Sequence, residues 1–365
     1  MRRSITLATI SLHEVAGGLE RNIIRLANHL ADKGENVRVV TFDTPHAKPF
    51  FDLDERVDFK CLGETLPHAP IGFFARLRLI RRIHKALTFP DPSSAIVCFH
   101  HGILFRFFFP AKAAGAKIIC SERNSLDIYN HINSRKWGIN FLMMYLVDGI
   151  TVQFPRYVED YPSLVRKKIS VVPNPVYPQK HNFENREKII LSTGRLVEQK
   201  QFDILIKAYR IIHEKHPDWR LVIVGDGPLK RNLKQLAKQL SINEKVKFVG
   251  EKRDLQELYS RATLYCQPSL WEGFPNAMAE AMAAGVIPVG FRETSGVRDL
   301  ITNSLNGIIC EPPSTPDSLA FGLDRIICSP DEWLGLSGSA AQISTEYSVT
   351  RWEDAWEEVL NYRNL

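Results

Sequence analysis

The chain has no apolar run long enough to cross a membrane as a helix. The longest, Trp137 to Val147 (WGINFLMMYLV), falls short of the ~18 residues a span needs and fits a buried helix. Cysteines are few and scattered: the six lie at positions 61, 98, 120, 266, 310 and 328, with no C-x-x-C pair. Neither a disulfide framework nor a zinc site follows from that spacing, and a reducing cytosol is the expected compartment. A secretory leader is not expected either. Residues 1–12 (MRRSITLATISL) carry two arginines and a brief apolar run without a small-residue cleavage site, so a first β-strand is the better reading. The glycine pair after that strand, Gly17-Gly18, is not the G-x-G-x-x-G fingerprint of dinucleotide binding.

What is present describes an ordinary globular chain of more than one domain. At 365 residues two domains of about 150–200 residues are expected. The apolar share is 44% and the charged share 24%, as in soluble proteins. Charge is uneven. Residues 1–173 hold 24 Lys+Arg against 16 Asp+Glu, a balance of +8, and residues 174–365 hold 23 against 25, a balance of −2. An electropositive first half points to an anionic partner there, whether phosphorylated acceptor, anionic lipid or nucleic acid; a solvated basic face gives the same count.

Strand, glycine loop and helix alternate along the chain. Ile5–Ile10 reads as a strand, Leu19–Lys33 as a helix with apolar residues at helical spacing, and Asn36–Phe42 as the next strand. A weaker strand at Val57–Leu62, a basic helix at Phe73–Leu87, strands at Ala95–Phe99 and Lys117–Cys120 with a helix between them, a helix at Trp137–Leu146 and a strand at Gly149–Gln153 follow. Ile169–Tyr177 (ISVVPNPVY) has the prolines of a hinge, and the polar stretch Gln179–Lys188 lies just beyond. The pattern then restarts. Strands are expected at Ile189–Thr193, Arg220–Val224, Val246–Val249, Leu264–Gln267, Val286–Val289 and Ile308–Cys310, separated by helices such as Phe202–Lys215, Leu229–Leu240 and Asp254–Ala262. Helices at Ser318–Cys328, Asp331–Glu346 and Val349–Tyr362 close the chain. This is α/β: two Rossmann-like parallel-sheet domains, 1–173 and 174–348, with the last helix, within 349–365, expected to pack back on the first. Ligands of such sheets bind at the carboxyl ends of strands, so a central cleft faced by both domains is the expected site.

The most informative stretch is Leu270–Val289 (LWEGFPNAMAEAMAAGVIPV). Pro275 suits a first helical turn, Asn276–Ala284 is built of good helix formers, and Gly285 suits a helix C-terminus. The loop Gly273-Phe274-Pro275-Asn276 delivers a helix N-terminus, whose amides favour phosphate. Glu272 precedes that helix and Glu280 lies inside it. Ionised carboxylates only accept hydrogen bonds and so suit hydroxyls. Phosphate on amides with diols on carboxylates is the footprint of a nucleotide sugar; a capped helix with solvent-facing glutamates has the same local pattern. Gly194-Arg195-Leu196 follows the first strand of the second half, with Lys200 on the same loop. An Arg fork and a Lys point charge so placed can grip a diphosphate. Gly225-Asp226-Gly227-Pro228 is a turn shaping the wall beside them, and the backbone around Lys252 and Arg253 is placed to meet a base edge.

In the first half, Gly17 and Gly18 open the first helix and permit close approach of a bulky ligand. Ser121-Glu122-Arg123-Asn124 ends a buried strand; Arg123 can bind phosphate, while Glu122 and Asn124 suit an acceptor sugar. His100 and His101 end the preceding strand. Helix 73–87 carries Arg76, Arg78, Arg81, Arg82 and Lys85 beside apolar positions 73, 77, 80, 84 and 87 that share a face. Such a helix suits an anionic membrane surface or a core with a basic back. Phe105–Pro110 (FRFFFP) fits lipid or core equally.

Together these motifs make the chain resemble glycosyltransferase family 4, the retaining nucleotide-sugar-dependent enzymes of GT-B fold, over essentially its whole length. The resemblance is strongest from Asn174-Pro175 through Gly194-Arg195-Leu196 and Gly225-Asp226-Gly227 to Leu270–Val289, where the family carries its E-x₇-E motif. It implies that Glu272 contacts the donor sugar, Glu280 the ribose hydroxyls, Arg195 and Lys200 the diphosphate, Gly17 and Gly18 the donor phosphates, and the backbone at 252–253 the base. One position departs from the pattern. Many members carry a His where this chain has Arg123, and the SERN form looks like a subset that builds bacterial surface polysaccharides and lipid-linked oligosaccharides. His101 is therefore given only a supporting role. The activity implied is retaining, metal-independent transfer of a hexose or N-acetylhexosamine from a UDP-sugar to a glycolipid or polyprenyl-diphosphate-linked glycan. No cofactor, metal or nucleic acid is expected: no D-x-D pair accompanies the donor motifs, and Arg195 and Lys200 can replace a cation. The expected place of work is the cytoplasmic face of the cell membrane, held there through helix 73–87. A GT-B epimerase acting on the UDP-sugar, and a non-catalytic peripheral membrane protein, are the alternatives.

Overall fold

The structure is a computed structural model that describes residues 3–14, 17–63, 73–87, 94–126, 128, 139–180 and 186–361. The chain divides into two compact units, Met1–Pro173 with Trp352–Leu365, and Asn174–Arg351.

The first unit holds β1 (Ser4–Ala8), α1 (Gly18–Asp32), β2 (Asn36–Thr41), β3 (Asp58–Cys61), α2 (Phe73–Leu87), β4 (Ala95–Phe99), α3 (His101–Ala113), β5 (Lys117–Ser121), α4 (Ile139–Leu142), β6 (Gly149–Val152), α5 (Pro155–Glu159), α6 (Ser163–Arg166) and β7 (Ile169–Val171). Its sheet has the order β3-β2-β1-β4-β5-β6-β7, with every pair parallel. β1 (SITLA) and β4 (AIVCF) are buried at every residue, as strands of a parallel sheet covered on both faces must be. In α1, Ile23, Leu26, Ala27 and Leu30 form the buried stripe. They join Ile5, Leu7, Val97 and Phe99 in one core, together with Trp352 and Trp356 from near the carboxyl end of the chain.

The second unit contributes β8 (Glu187–Thr193), α7 (Phe202–Lys215), β9 (Arg220–Val224), α8 (Lys230–Gln239), β10 (Val246–Gly250), α9 (Gln256–Arg261), β11 (Ala262–Gln267), α10 (Asn276–Ala283), β12 (Ile287–Phe291), α11 (Val297–Leu300), β13 (Ile308–Cys310), α12 (Pro316–Ile327), α13 (Trp333–Ala341) and α14 (Ile343–Glu346). α15 (Val349–Asn361) begins here, and from Trp352 onward it belongs to the first unit. The sheet order is β10-β9-β8-β11-β12-β13, again all parallel. Both sheets reverse direction of winding once, at β1/β4 in the first and at β8/β11 in the second. Those switch points are where open α/β sheets bind ligands, beyond the carboxyl ends of the strands.

Several segments differ from what periodicity indicates. Asp331–Glu346 is a 3₁₀ turn followed by α13 and α14. Of Trp137–Leu146, the described part is the single turn α4 and a 3₁₀ turn at Met143–Tyr145; Trp137 and Gly138 lie outside the described residues. Glu187 and Lys188 belong to β8, where Glu187 pairs with Ala262 of β11, and residues 181–185 are outside the described set. The core-facing row of α2 is Leu79, Ile83 and Leu87, whereas Leu77, Ile80 and His84 face out. Phe73, Phe74 and Arg76 are in the helix, and their side chains lie outside the described residues. α5, α6 and α11 each span about one turn, too short for a period to register.

Candidate functional site

In the second unit the site grows from two glycine turns pressed together. Gly194 N donates to Val224 O at 3.0 Å, and Gly225 N donates to Gly250 O at 2.8 Å. Gly225 has φ +137, and a Cβ there would stand 2.0 Å from Gly194 O, so no other residue fits. Leu196 is buried, and its N–H binds Asp226 O at 2.8 Å. The 225–228 turn thus props the loop that carries Arg195 and Lys200. Arg195 is exposed at its mouth. The Lys200 stem lies over Gly194, with Cδ 3.5 Å from where a Cβ would be. Its ammonium reaches Glu272 Oε1 at 2.6 Å.

The loop before α10 is fixed from below. Leu270 N donates to Gln199 O at 2.8 Å and Gln199 Nε2 donates to Trp271 O at 2.7 Å, which ties the two site loops together. Ser295 Oγ donates to Glu272 O at 3.0 Å. Gly296 (φ +77) lies so close under Gly273 that a Cβ would meet its carbonyl at 2.7 Å. Glu272 is only 7% exposed. Gln267 Nε2 donates to the same Glu272 oxygen at 2.8 Å. Pro275 stands just before the helix as its N-cap, and Asn276 is the first helical residue. Asn276 accepts from Asn174 Nδ2 at 2.9 Å, and Phe274 packs on the Tyr347 ring. Glu280 is half-buried on α10, and Arg253 is exposed in the turn after β10. The arrangement joins a carboxylate, a lysine and a helix N-terminus at the carboxyl ends of β8 and β11. It can receive an anion and hydroxyls side by side.

In the first unit, Gly17 is the N-cap of α1 and Gly18 its first residue. Across the switch point lie β4 and β5. His100 has φ +88, an uncommon conformation for a bulky residue and a mark of local strain. His101 starts α3. Its backbone N–H donates to the Glu122 carboxylate, and its Nδ1 lies 2.9 Å from Glu122 Oε1. Burial pushes the Glu122 carboxyl up, but the His101 and His100 rings and the two bonds from His101 outweigh it and hold it down at about 2. Burial lowers His101, and the Glu122 charge and hydrogen bond more than offset that, so the net shift is upward. His100 shifts down, chiefly through burial. Arg123 is buried against the rings of Phe99 and Trp356, 5.5 Å from each, and donates to Val172 O at 3.3 Å. Burial brings it down to about 10 despite Glu122 nearby. Asn124 is half-buried beside it.

The structure therefore brings Lys200, Glu272, Gly273, Phe274, Pro275 and Asn276 into one group. His101, Glu122 and Arg123 form another. Sequence reasoning passes over Gln267, Tyr265, Ser295 and Gly296. The one signal is a polar Gln ending an otherwise apolar strand, ATLYCQ. Among the described residues, two separate sets each hold potential metal donors within 4.8 Å of one another: His100, His101 and Glu122 in the first unit, and His216, Asp324 and Cys328 in the second. In the first set Glu122 is already bonded to His101; in the second, His216 Nε2 and Asp324 Oδ1 are 2.7 Å apart.

Two family models match the sequence. One, described as Glycosyltransferase Family 4, covers residues 16–180, and one, described as Glycosyl transferases group 1, covers residues 174–335. An uncharacterized glycosyltransferase of Haemophilus influenzae is 30% identical over 355 residues, which are 94% of this chain and 96% of its own length. The Campylobacter jejuni GalNAc-alpha-(1->4)-GalNAc-alpha-(1->3)-diNAcBac-PP-undecaprenol alpha-1,4-N-acetyl-D-galactosaminyltransferase is 24% identical, covering 99% of this chain and 98% of its own. Staphylococcus aureus TarM, crystallised with fondaparinux, alpha-GlcNAc-glycerol and UDP, has a TM-score of 0.80 over 99% of this chain and 100% of its own, at 14% identity. At that identity the likeness is one of fold.

Proposed function

This chain belongs to glycosyltransferase family 4 and has the GT-B fold, and from that premise we propose that it moves a hexose or N-acetylhexosamine from a UDP-sugar to a polyprenyl-diphosphate-linked glycan with retention at the anomeric carbon. The observation that carries the donor half is the meeting of Lys200 and Glu272 at 2.6 Å, beside the N-terminus of α10. It sets a cation for diphosphate next to a carboxylate for sugar hydroxyls. Arg195 at the loop mouth is the second cation, Glu280 takes the ribose, and Arg253 lies by the base. Gly17 and Gly18, at the start of α1, are proposed to serve phosphate binding. The acceptor half is proposed on Glu122, Arg123 and Asn124, with His101 in support. A diphosphate-linked glycan is favoured by the basic first unit and by the undecaprenol-linked substrate in the name of the Campylobacter relative.

In this reading the bond from the anomeric carbon to the β-phosphate oxygen breaks, and the acceptor oxygen bonds to the same face. The acceptor proton passes to the departing phosphate. Arg195 and Lys200 neutralise charge as it builds there, the kind of preorganised stabilisation that replaces a metal ion. Work at the cytoplasmic face of the membrane, held through α2, completes the proposal; no described helix is long and apolar enough to cross the bilayer.

The test is transfer of label from UDP-sugars to a polyprenyl-diphosphate glycan in the presence of EDTA, with the linkage read by NMR. Label should appear in an α-linkage, and Glu272→Ala and Lys200→Ala should each cost about 10²–10³ in rate. Full activity in both variants, or isomerised UDP-sugar formed without acceptor, overturns the reading.

A further inference from the structure

Behind Glu272 runs a buried chain of hydrogen bonds. Thr193 Oγ1 and Tyr265 Oη are 2.8 Å apart. Tyr265 Oη donates to Gln267 Oε1 at 3.0 Å. Gln267 Nε2 then donates to Ser269 Oγ at 2.8 Å and to Glu272 Oε1 at 2.8 Å. All of these side chains are buried. The Glu272 carboxylate, which only accepts, fixes which end of the Gln267 amide is nitrogen; the amide oxygen then receives the Tyr265 hydroxyl, and both amide hydrogens are committed. The amide is a rigid donor aimed at Glu272.

Lys200 is the opposite kind of donor to the same oxygen. It is a point charge on a flexible stem, and its route from the loop passes over Gly194 with no side chain in the way. A diphosphate carries more negative charge than one carboxylate and competes for it. A buried carboxylate that lost its cation with nothing in place would be costly. We infer that Lys200 has two partners in succession, Glu272 in the free protein and the donor's diphosphate in the complex, and that Gln267 is the positioning residue that holds Glu272 through the exchange. The inference rests on the donor reading above and deepens it. Gln267 touches no substrate; it lowers the cost of freeing Lys200 and leaves Glu272 set for the sugar.

The variants are Gln267→Met, which keeps length without an amide, and Tyr265→Phe, which removes only the hydroxyl that donates to it. Binding of UDP and of uridine is measured for each, with kcat for transfer. In Gln267→Met, UDP should bind about tenfold more weakly, the loss of one hydrogen bond to a charged group, while uridine, which has no phosphate for Lys200, stays within about twofold. Tyr265→Phe should move the same way by less. Adding Glu272→Gln to Gln267→Met should restore UDP binding, because a neutral amide no longer retains Lys200; such coupling marks a shared network. Equal weakening of UDP and uridine is a packing defect and overturns the inference, as does unchanged UDP affinity in Gln267→Met. If wild type binds UDP and Lys200→Ala binds it equally well, the exchange falls alone. If wild type binds no UDP, the donor reading falls and takes the exchange with it.

Discussion

Glu122 and Glu272 are both buried carboxylates with a cationic partner, but the partners differ in what they can do. Lys200 sits on a loop at a ligand-binding strand end. His101 is held in the first turn of α3 and gives Glu122 both its backbone and its ring. The His101 pair is thus a fixed strut, and its strength depends on pH. His101 titrates above its ordinary 6.5 in the fold, so its contribution is complete below that value and is lost as pH rises through the folded one. His101→Asn should therefore be destabilised most at and below about pH 6, by about 3 kcal/mol for a broken buried pair, with the gap to wild type narrowing as pH rises through the raised titration of His101. Denaturant titration at several pH values reads this directly. A gap independent of pH would mean that His101 is neutral throughout. Residues such as Arg195, Lys200 and Glu272 are legible in the sequence because each is a polar residue in a short loop after an apolar strand. Their pairing is not, since Lys200 and Glu272 are 72 residues apart and only the β8/β11 neighbourhood joins them. Glu122 shows the reverse: it follows a buried strand like a solvent-facing residue, and the fold turns it inward under His101.

At the scale of elements, long helices and buried strands were legible to within a few residues because their periods run for three turns or fill a whole strand. α7 at Phe202–Lys215, α2 at Phe73–Leu87 and β9 at Arg220–Val224 match the pattern end to end. What periodicity cannot decide is which of two apolar rows faces in. α2 has both, and Leu79, Ile83 and Leu87 take the core while Leu77 and Ile80 stay 39% and 47% exposed. α3 splits likewise: Phe107 and Phe108 are buried, Phe105 and Phe109 are 42% and 60% exposed and meet edge to face. α15 is the clearest case of an element whose worth is tertiary. Trp356 lies fully buried against Phe99 at 6.1 Å, and its ring also packs against the Arg123 guanidinium, 5.5 Å away. Trp356→Ala should cost about 3–5 kcal/mol, as large-to-small changes in a packed core do. It should also loosen Arg123, so limited proteolysis ought to cut the first unit while a fragment near Asn174–Arg351 persists. Equal resistance in both units would show that α15 is dispensable to the core.

At the scale of the whole molecule, charge is distributed by fold rather than by position in the chain. Counted by unit, the first holds 25 Lys+Arg against 20 Asp+Glu, a balance of +5, and the second 22 against 21, a balance of +1. Two of the four acidic residues that α15 brings to the first unit are paired locally: Glu353 and Glu357 lie 3.1 and 3.5 Å from His29 of α1, and Glu357 lies 2.8 Å from Lys33, the C-cap of that helix. They do not answer Arg78, Arg81 and Lys85, which are exposed on α2 beside Leu77 and Ile80. The neighbouring α3 adds Phe105 and Phe109. Basic and apolar groups so interleaved fit a surface of anionic headgroups over acyl chains. Full-length protein should sediment with phosphatidylglycerol vesicles and not with phosphatidylcholine vesicles at low salt. Replacing Arg78 and Arg81 by Glu should weaken retention by on the order of 1 kcal/mol per charge. That loss should shrink toward zero in about 1 M salt, where screening reaches ~3 Å. Replacing Ile80 and Phe109 by Ser should weaken retention at both salt concentrations, because burial of apolar area is not screened. If wild type shows no preference for anionic vesicles, the basic face of the first unit serves a soluble acceptor's phosphates instead, and both pairs of substitutions should then leave sedimentation unchanged.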